Sequence, residues 1–282
     1  MSTSSTDAPA RPAGQPRPAP VRVGPIMAIG GAEDKLDDKV ILSTFLQISG
    51  GSRARIVIVP TASSIEAAGE RYKAIFLGMG ADSAEVTFFG NRSDAQRPSL
   101  LAALERATGI FLTGGNQLRL SSILGGTPAA EIIRRRNNEG ATVGGTSAGA
   151  SILSSHMVAY GASGNAPKQR MAQMVAGFGL VPDVIIDQHF RQRDRIGRLL
   201  TLVASNPRLL GVGVDEDTAV LIEGLDVMEV IGRHSVTVVD GRGMESNIHQ
   251  VKRYGEISVT GATLHMLTAG RRFDLQNRKV LD

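Results

Sequence analysis

Gly144-Gly145-Thr146-Ser147-Ala148-Gly149 is the stretch whose reading decides the architecture. Small residues crowd both sides of a single serine. A short β-branched run (Thr142, Val143) precedes it, and a helix-compatible run, residues 148–153, follows. A chain of this composition can turn sharply from strand into helix, because little side-chain bulk opposes the bend. The turn thrusts the Ser147 hydroxyl out past the strand's carboxyl end, where α/β folds gather their chemistry. The first amides of the next helix point to the same place, so the Ala148 N–H is a candidate donor to a developing oxyanion. The same residues can also be read as a glycine-rich turn whose serine caps a helix. The surrounding sequence has to decide.

Upstream, residues 23–29 form an apolar run that ends in Gly30-Gly31. Residues 37–49 read as a helix, with Val40, Ile41, Phe45 and Ile48 spaced for one face. Residues 55–60 are continuously apolar after Arg55, as in a buried parallel strand. Thr61, Ser63 and Ser64 supply capping groups for a helix that runs to about Met79. Residues 85–89 are a strand candidate, 99–107 a helix, 109–113 a strand, 128–139 a helix with Pro128 at its start, and 141–146 a strand. This alternation predicts an α/β fold with a mainly parallel sheet flanked by helices. The last third changes character. Residues 209–214, 219–222, 227–231 and 235–239 are short strand candidates joined by turns such as Asp240-Gly241. They predict C-terminal β-hairpin additions at the sheet edge or beside it. No repeat or linker interrupts the chain after residue 20, so residues 21–282 read as a single α/β domain. Residues 1–20, made mainly of Ser, Pro, Ala and Arg, read as a disordered tail.

Composition narrows the chemistry. The 282 residues contain no cysteine, which excludes disulfides, thiolate metal sites and a cysteine nucleophile. The net charge of +4 is dispersed, and no basic stripe is interleaved with aromatics, so nucleic-acid binding has little support. No apolar run approaches the roughly 20 residues that span a bilayer. No apolar core of a secretory signal stands near the N-terminus, and the expected location is cytoplasmic, with no membrane partner.

A serine nucleophile needs a base, and the base needs an acid to orient it. Of the five histidines, His189 stands out, because it ends the apolar run Val184-Ile185-Ile186 and so falls at a strand's carboxyl end. His156 would lie past the far end of the helix that follows Ser147, and His234, His249 and His265 fall in the hairpin region. Asp215-Glu216-Asp217 follow another strand candidate. On residue type alone any of the three could orient the base, and a solvated acidic turn would look the same.

Six motifs in order now add up to a family: Gly30-Gly31-Ala32-Glu33, Pro60-Thr61-Ala62-Ser63-Ser64, Thr113-Gly114-Gly115-Asn116-Gln117, the serine turn, Asp187-Gln188-His189-Phe190-Arg191 and Gly213-Val214-Asp215-Glu216. The chain resembles the serine peptidase family that includes the cyanophycinases and peptidase E. The resemblance implies a class I glutamine amidotransferase-like (flavodoxin-like) fold, with serine in place of cysteine. It implies catalysis by Ser147, His189 and Glu216, the last chosen because it matches the family's glutamate. The chain order Ser, His, Glu differs from the Ser, acid, His order of α/β-hydrolases. The oxyanion donors expected are the amides of Ala148 and of Gly114 or Gly115.

The family's substrate-binding positions fall on Gln117, Asp187, Gln188, Arg193, Arg195 and Arg198. The implied substrate is cyanophycin, a polyaspartate whose side chains carry arginine, cut to β-aspartyl-arginine. Guanidinium groups would meet its carboxylates, and Asp187 could meet its guanidinium. Arg191, Arg195 and Arg198 would share one helical face, with Arg193 pointing elsewhere. No metal or cofactor is implied, and the family suggests a homodimer. The runner-up is a peptidase E-like α-aspartyl dipeptidase, followed by a non-catalytic peptide-binding member. Gly30-Gly31-Ala32-Glu33 lacks the glycine spacing of a dinucleotide fingerprint.

Overall fold

The computed structural model describes residues 23–282, and the tail expected over residues 1–20 lies outside the described residues. In chain order the first half holds β1 (Ile26–Ile29), α1 (Val40–Ile48), β2 (Arg55–Val59), α2 (Glu70–Gly78), β3 (Ser83–Val86), α3 (Pro98–Arg106), β4 (Gly109–Leu112), α4 (Gln117–Leu124), α5 (Pro128–Asn138), β5 (Thr142–Thr146) and the short α6 (Ala148–Ser151). The second half holds β6 (His156–Gly161), β7 (Ala172–Ala176), β8 (Val184–Gln188), α7 (Ile196–Ser205), β9 (Leu210–Val214), β10 (Thr218–Glu223), β11 (Val227–Gly232) and β12 (Ser235–Asp240). It closes with β13 (Glu245–Ser246), β14 (Val259–Thr260), β15 (Thr263–Thr268), β16 (Arg272–Asp274) and β17 (Lys279–Leu281).

Nine strands form the main sheet in the order β17-β16-β11-β10-β1-β5-β4-β2-β3. The five strands from β3 to β1 are mutually parallel, and β10, β11, β16 and β17 extend the sheet antiparallel. Strands β1, β4 and β5 are buried along their whole length. That burial is why the sequence runs apolar or small there instead of alternating with polar residues. The two faces sort by the strand's period of two. Met27, Ile29 and Phe111 pack with α1 and α2 around Phe45 and Phe76, while Ile26, Ala28, Ile110 and Leu112 face Leu104, Leu120 and Ile133 of α3, α4 and α5. Phe111 meets Phe45 edge-on at 5.2 Å and Phe76 at 5.5 Å. Each such ring buried contributes roughly 2–3 kcal/mol.

A second sheet, β15-β12-β9-β8, lies beside the first, with β8 and β9 parallel and the rest antiparallel. Helix α7 covers one face of it through Leu199, Leu202 and Val203 against Ile185 and Val239. The chain leaves this sheet at Val214 and enters the main sheet at Thr218, so residues 215–217 step between the two. Of the strands expected in the last third, 219–222 and 227–231 form the hairpin β10–β11 at the main sheet, while 209–214 and 235–239 pair as β9 and β12 in the second sheet; β16–β17 is a further hairpin that the sequence did not predict.

Two helices begin later than periodicity predicts. The Asp34 carboxylate accepts the amides of Leu36, Asp37 and Lys39 and winds that segment into turns, so α1 starts only at Val40. A 3-10 turn, Glu66–Gly69, stands before α2. Among the described residues, no helix is long and apolar enough to cross a membrane.

Candidate active site

The turn at Ser147 is as sharp as its composition requires. Ser147 has φ 53° and ψ −112°, a region that side-chain-bearing residues rarely occupy. A Cβ at Gly145 would lie 2.2 Å from the Gly149 carbonyl oxygen, and one at Gly149 would lie 2.2 Å from the Leu112 carbonyl oxygen. Both contacts are with backbone, so the strand can enter the helix at this angle only with glycine at the two positions. The Ser147 amide donates to the Ile29 carbonyl at 3.0 Å, which ties the elbow to β1.

Three sequence candidates far apart in the chain meet here. Ser147 Oγ lies 2.9 Å from His189 Nε2, and His189 Nδ1 lies 2.6 Å from Glu216 Oε1. A carboxylate can only accept, so the ring proton sits on Nδ1 and the Nε2 lone pair faces the serine hydroxyl. His189 is mostly buried at the end of β8 with φ 46°, and its amide donates to the Gly30 carbonyl at 2.8 Å. Burial pushes its pKa below the ordinary imidazole range. The bond to Glu216 opposes that, and the nearby positive charges of Arg193 and Arg195 add to it.

The fold separates the three acids that the sequence left side by side. Asp215 is buried and accepts the Arg191 amide and both the amide and hydroxyl of Ser235. Asp217 accepts the Asp34 amide and pairs with Arg233. Glu216 alone reaches the imidazole, and its own amide is held by the Gln192 side chain at 3.0 Å.

The expected oxyanion donors lie close to the serine. A Cβ at Gly114 would stand 3.2 Å from the Ser147 Cβ. The amides of Gly114, Gly115 and Ala148 donate to no acceptor among the described residues. Gly115 has φ 144° and passes so near Ala62 that an added Cβ would be 2.4 Å from the Ala62 carbonyl oxygen. Arg119 fixes these loops, donating to the carbonyls of Thr61, Ser63 and Gly90. That bracing holds the Pro60–Ser64 motif, and the Asn116 amide, donating to the Ala62 carbonyl at 2.9 Å, ties it to the Thr113–Gln117 motif.

The substrate-binding candidates divide into two groups. Asp187 is fully buried, and both its oxygens are occupied. Arg198 grips it through two nitrogens, the Gln188 amide donates at 2.9 Å, and Arg195 lies at 3.5 Å. Asp187 therefore has no exposed edge for a substrate guanidinium. Arg198, itself buried, also donates to the Gly161 carbonyl, and Arg195 is gripped by the Gln188 carbonyl and side chain. Burial pushes the Arg195 pKa down to about 10 despite Asp187.

The shared helical face expected for Arg191, Arg195 and Arg198 is absent. Asp194, at φ 47°, separates the 3-10 turn Arg191–Arg193 from α7. Arg191 instead turns outward toward Asp215 and His234. Arg193 is exposed and makes no ion pair among the described residues, and Gln117 is half-buried with its amide on the Val158 carbonyl. Of the six candidates, then, Arg193 alone has a side chain that is exposed and without an ion pair among the described residues. Sequence reasoning assigned no role to Glu33, whose buried carboxylate lies behind the elbow at 2.6 Å from the Thr146 hydroxyl. Its place in a glycine-led motif at a strand end was the available signal.

Comparison with known proteins follows the same lines. Residues 26–230 match the family model described as Peptidase family S51. The cyanophycinase of Trichormus variabilis is 44% identical over 259 residues, covering 91% of this chain and 87% of that protein. The cyanophycinase of Synechococcus elongatus is 42% identical over 260 residues, covering 91% and 81%. Among solved structures, a peptidase from an acI-B1 Actinobacterium aligns with a TM-score of 0.67 at 21% identity, over 90% of this chain and 98% of that one. That likeness speaks for the fold.

Proposed function

The chain belongs to Peptidase family S51, and on that premise we propose that it hydrolyses the aspartate backbone of cyanophycin to β-aspartyl-arginine through an acyl-enzyme on Ser147. The observation that carries this reading is the relay from Ser147 through His189 to Glu216, at 2.9 Å and 2.6 Å. In the first step Nε2 of His189 takes the hydroxyl proton while Oγ attacks the backbone carbonyl. Glu216 holds the ring's orientation and balances its charge once both nitrogens are protonated. The unpaired amides of Ala148 and of Gly114 or Gly115 receive the oxyanion. The imidazolium then gives its proton to the departing amine, leaving the ester on Ser147. Water, deprotonated by the same ring, hydrolyses that ester and regenerates the hydroxyl. Arg193, Arg195 and Gln117 provide donors for the carboxylates of the arginyl side chains.

A cytoplasmic site of action fits the cysteine-free sequence. The family resemblance favours a homodimer, which light scattering would test. Purified cyanophycin incubated with the enzyme should yield β-aspartyl-arginine, and Ser147→Ala should yield none while unfolding at the wild-type temperature. Undiminished release by that variant would refute the mechanism. Cleavage of α-aspartyl dipeptides in place of cyanophycin would move the substrate to the peptidase E type.

A further inference from the structure

Behind the elbow lies a buried carboxylate to which the mechanism assigns no role. The Glu33 side chain has no solvent exposure. Its Oε2 accepts the Thr146 hydroxyl at 2.6 Å, and its Oε1 accepts the Tyr72 hydroxyl at 2.6 Å and faces Lys35 Nζ at 2.8 Å. Lys35 also donates to the Glu33 carbonyl and sits 5.3 Å over the Tyr72 ring, so the buried charge has a cation and two hydroxyls around it. A buried carboxylate with this many donors is held rigidly, and it holds its donors in turn.

The placement of those donors gives the cluster its meaning. Thr146 is the residue before the nucleophile, and Ser147 carries a strained backbone that persists only where its surroundings overdetermine it. The same short loop after β1 also reaches the other two members of the relay. The Gly30 carbonyl accepts the His189 amide, and Gly31 lies so close to the imidazole that a Cβ there would be 2.3 Å from the ring. The Gly31 carbonyl accepts the Asp217 amide at 2.9 Å, the Asp34 amide donates to the Asp217 side chain at 2.8 Å, and a Cβ at Gly30 would lie 2.0 Å from the Asp215 carbonyl oxygen, so the loop meets the residues on both sides of Glu216.

We propose that Glu33 is a positioning residue: through Thr146 it fixes the angle at which the elbow presents Ser147, and its loop sets that angle relative to His189 and Glu216. The proposal rests on the reading of Ser147 as nucleophile. Misplacement of a reacting group by about 1 Å can cost on the order of a hundredfold in rate without loss of the substrate's contacts. Glu33 touches no ligand-facing residue named above, so the loss should fall on kcat and leave KM in place.

The test compares wild type with Glu33→Gln, Thr146→Val and Thr146→Ser. It measures kcat and KM on cyanophycin and the second-order rate of fluorophosphonate labelling at Ser147, each normalised to the folded fraction from circular dichroism. Glu33→Gln and Thr146→Val are expected to lower kcat and the labelling rate together, by roughly thirtyfold, with KM within about twofold. Thr146→Ser restores the hydroxyl and should recover most of both rates. Three results would each overturn the proposal: labelling rates at the wild-type level in the first two variants, equal impairment of the Ser and Val variants, or a loss that disappears after normalisation. A wild-type enzyme that neither labels at Ser147 nor cuts cyanophycin would bring down the peptidase reading itself, an outcome distinct from those three.

Discussion

A serine hydroxyl is a weak nucleophile until a base accepts its proton, so the protonation state of His189 governs the proposed reaction. Burial lowers the pKa of that ring, Glu216 raises it, and the charges of Arg193 and Arg195 lower it further. The net depression keeps the ring neutral, and competent as a base, at pH values where an exposed imidazole would already be protonated. The acid limb of kcat/KM, which reports the free enzyme, should therefore lie below the ordinary imidazole range. Replacing Arg193 with Gln removes a positive neighbour and so favours the protonated ring. The folded pKa rises, and the limb moves to higher pH. Arg193 is also a proposed contact of the substrate, so the position of the limb, not the height of the profile, is the quantity to read. A limb that stays in place would show that Arg193 exerts no field on the ring.

At the scale of elements, the strand-to-helix elbow depends on what stands behind it. The added Cβ of Gly145→Ala would fall 2.2 Å from a backbone oxygen of α6, and neither partner is a flexible side chain that can swing away. The variant is expected to lose about 2–3 kcal/mol of stability and most of its activity. Gly78→Ala is the opposite case, since nothing lies within 4 Å of its added Cβ at the end of α2. It should be neutral or stabilising by up to about 1 kcal/mol. Thermal unfolding of the two variants against wild type checks both signs. The same contrast explains what was legible in the sequence. β1, β2, β4 and β5 were readable to within a few residues because burial on both faces of a parallel sheet leaves continuous apolar runs, and α3 and α5 because a proline opens each and its apolar residues keep to one face. Helix α4 escaped notice although Asn116 caps it by accepting the amides of Leu118 and Arg119. The glycines that precede it read as loop. The β6–β7 ribbon packs mostly one face and leaves Tyr160 and Val175 exposed, so its apolar signal is faint. Ser147 was legible as a candidate from the small residues that turn the chain from strand to helix, and His189 from its position at a strand end. The choice of Glu216 over its neighbours needed the family motif, because the partners that engage Asp215 and Asp217 come from Ser235, Arg233 and Asp34, distant in sequence. Glu33 stood in a glycine-led motif at a strand end, but nothing local marks a carboxylate as buried, so its role was not legible.

Across the whole molecule, the relay spans a seam between two sheets. Ser147 follows β5 of the main sheet, His189 follows β8 of the second, and Glu216 lies where the chain steps from β9 to β10. The angle between the sheets is therefore part of the site. At the catalytic end that angle is set by the 215–217 step and by the loop after β1. At the far end the sheets are tied by charge. Asp240, at the end of β12, accepts Arg278 from the β16–β17 turn at 2.7 Å, and Arg242 pairs with it at 2.9 Å. Arg278 also reaches the Arg208 carbonyl. Burial by itself would raise the Asp240 pKa, but the bonds from the Arg242 amide and from the guanidinium groups of Arg278 and Arg242 hold it below the usual carboxylate range. A carboxylate depressed in the folded state contributes stability above its unfolded pKa, and that contribution is lost as pH falls through the folded value. Arg278→Ala removes the better buried of the two partners. It should cost about 2 kcal/mol, less than the roughly 3–5 kcal/mol of a fully orphaned buried charge, because Arg242 remains. For a chain of this size that corresponds to a drop of about 3–4 °C in Tm. With the seam still fixed at its catalytic end, kcat at 25 °C should match wild type. A fall in kcat alongside Tm would mean that the far tie also sets the angle at which the imidazole meets the serine.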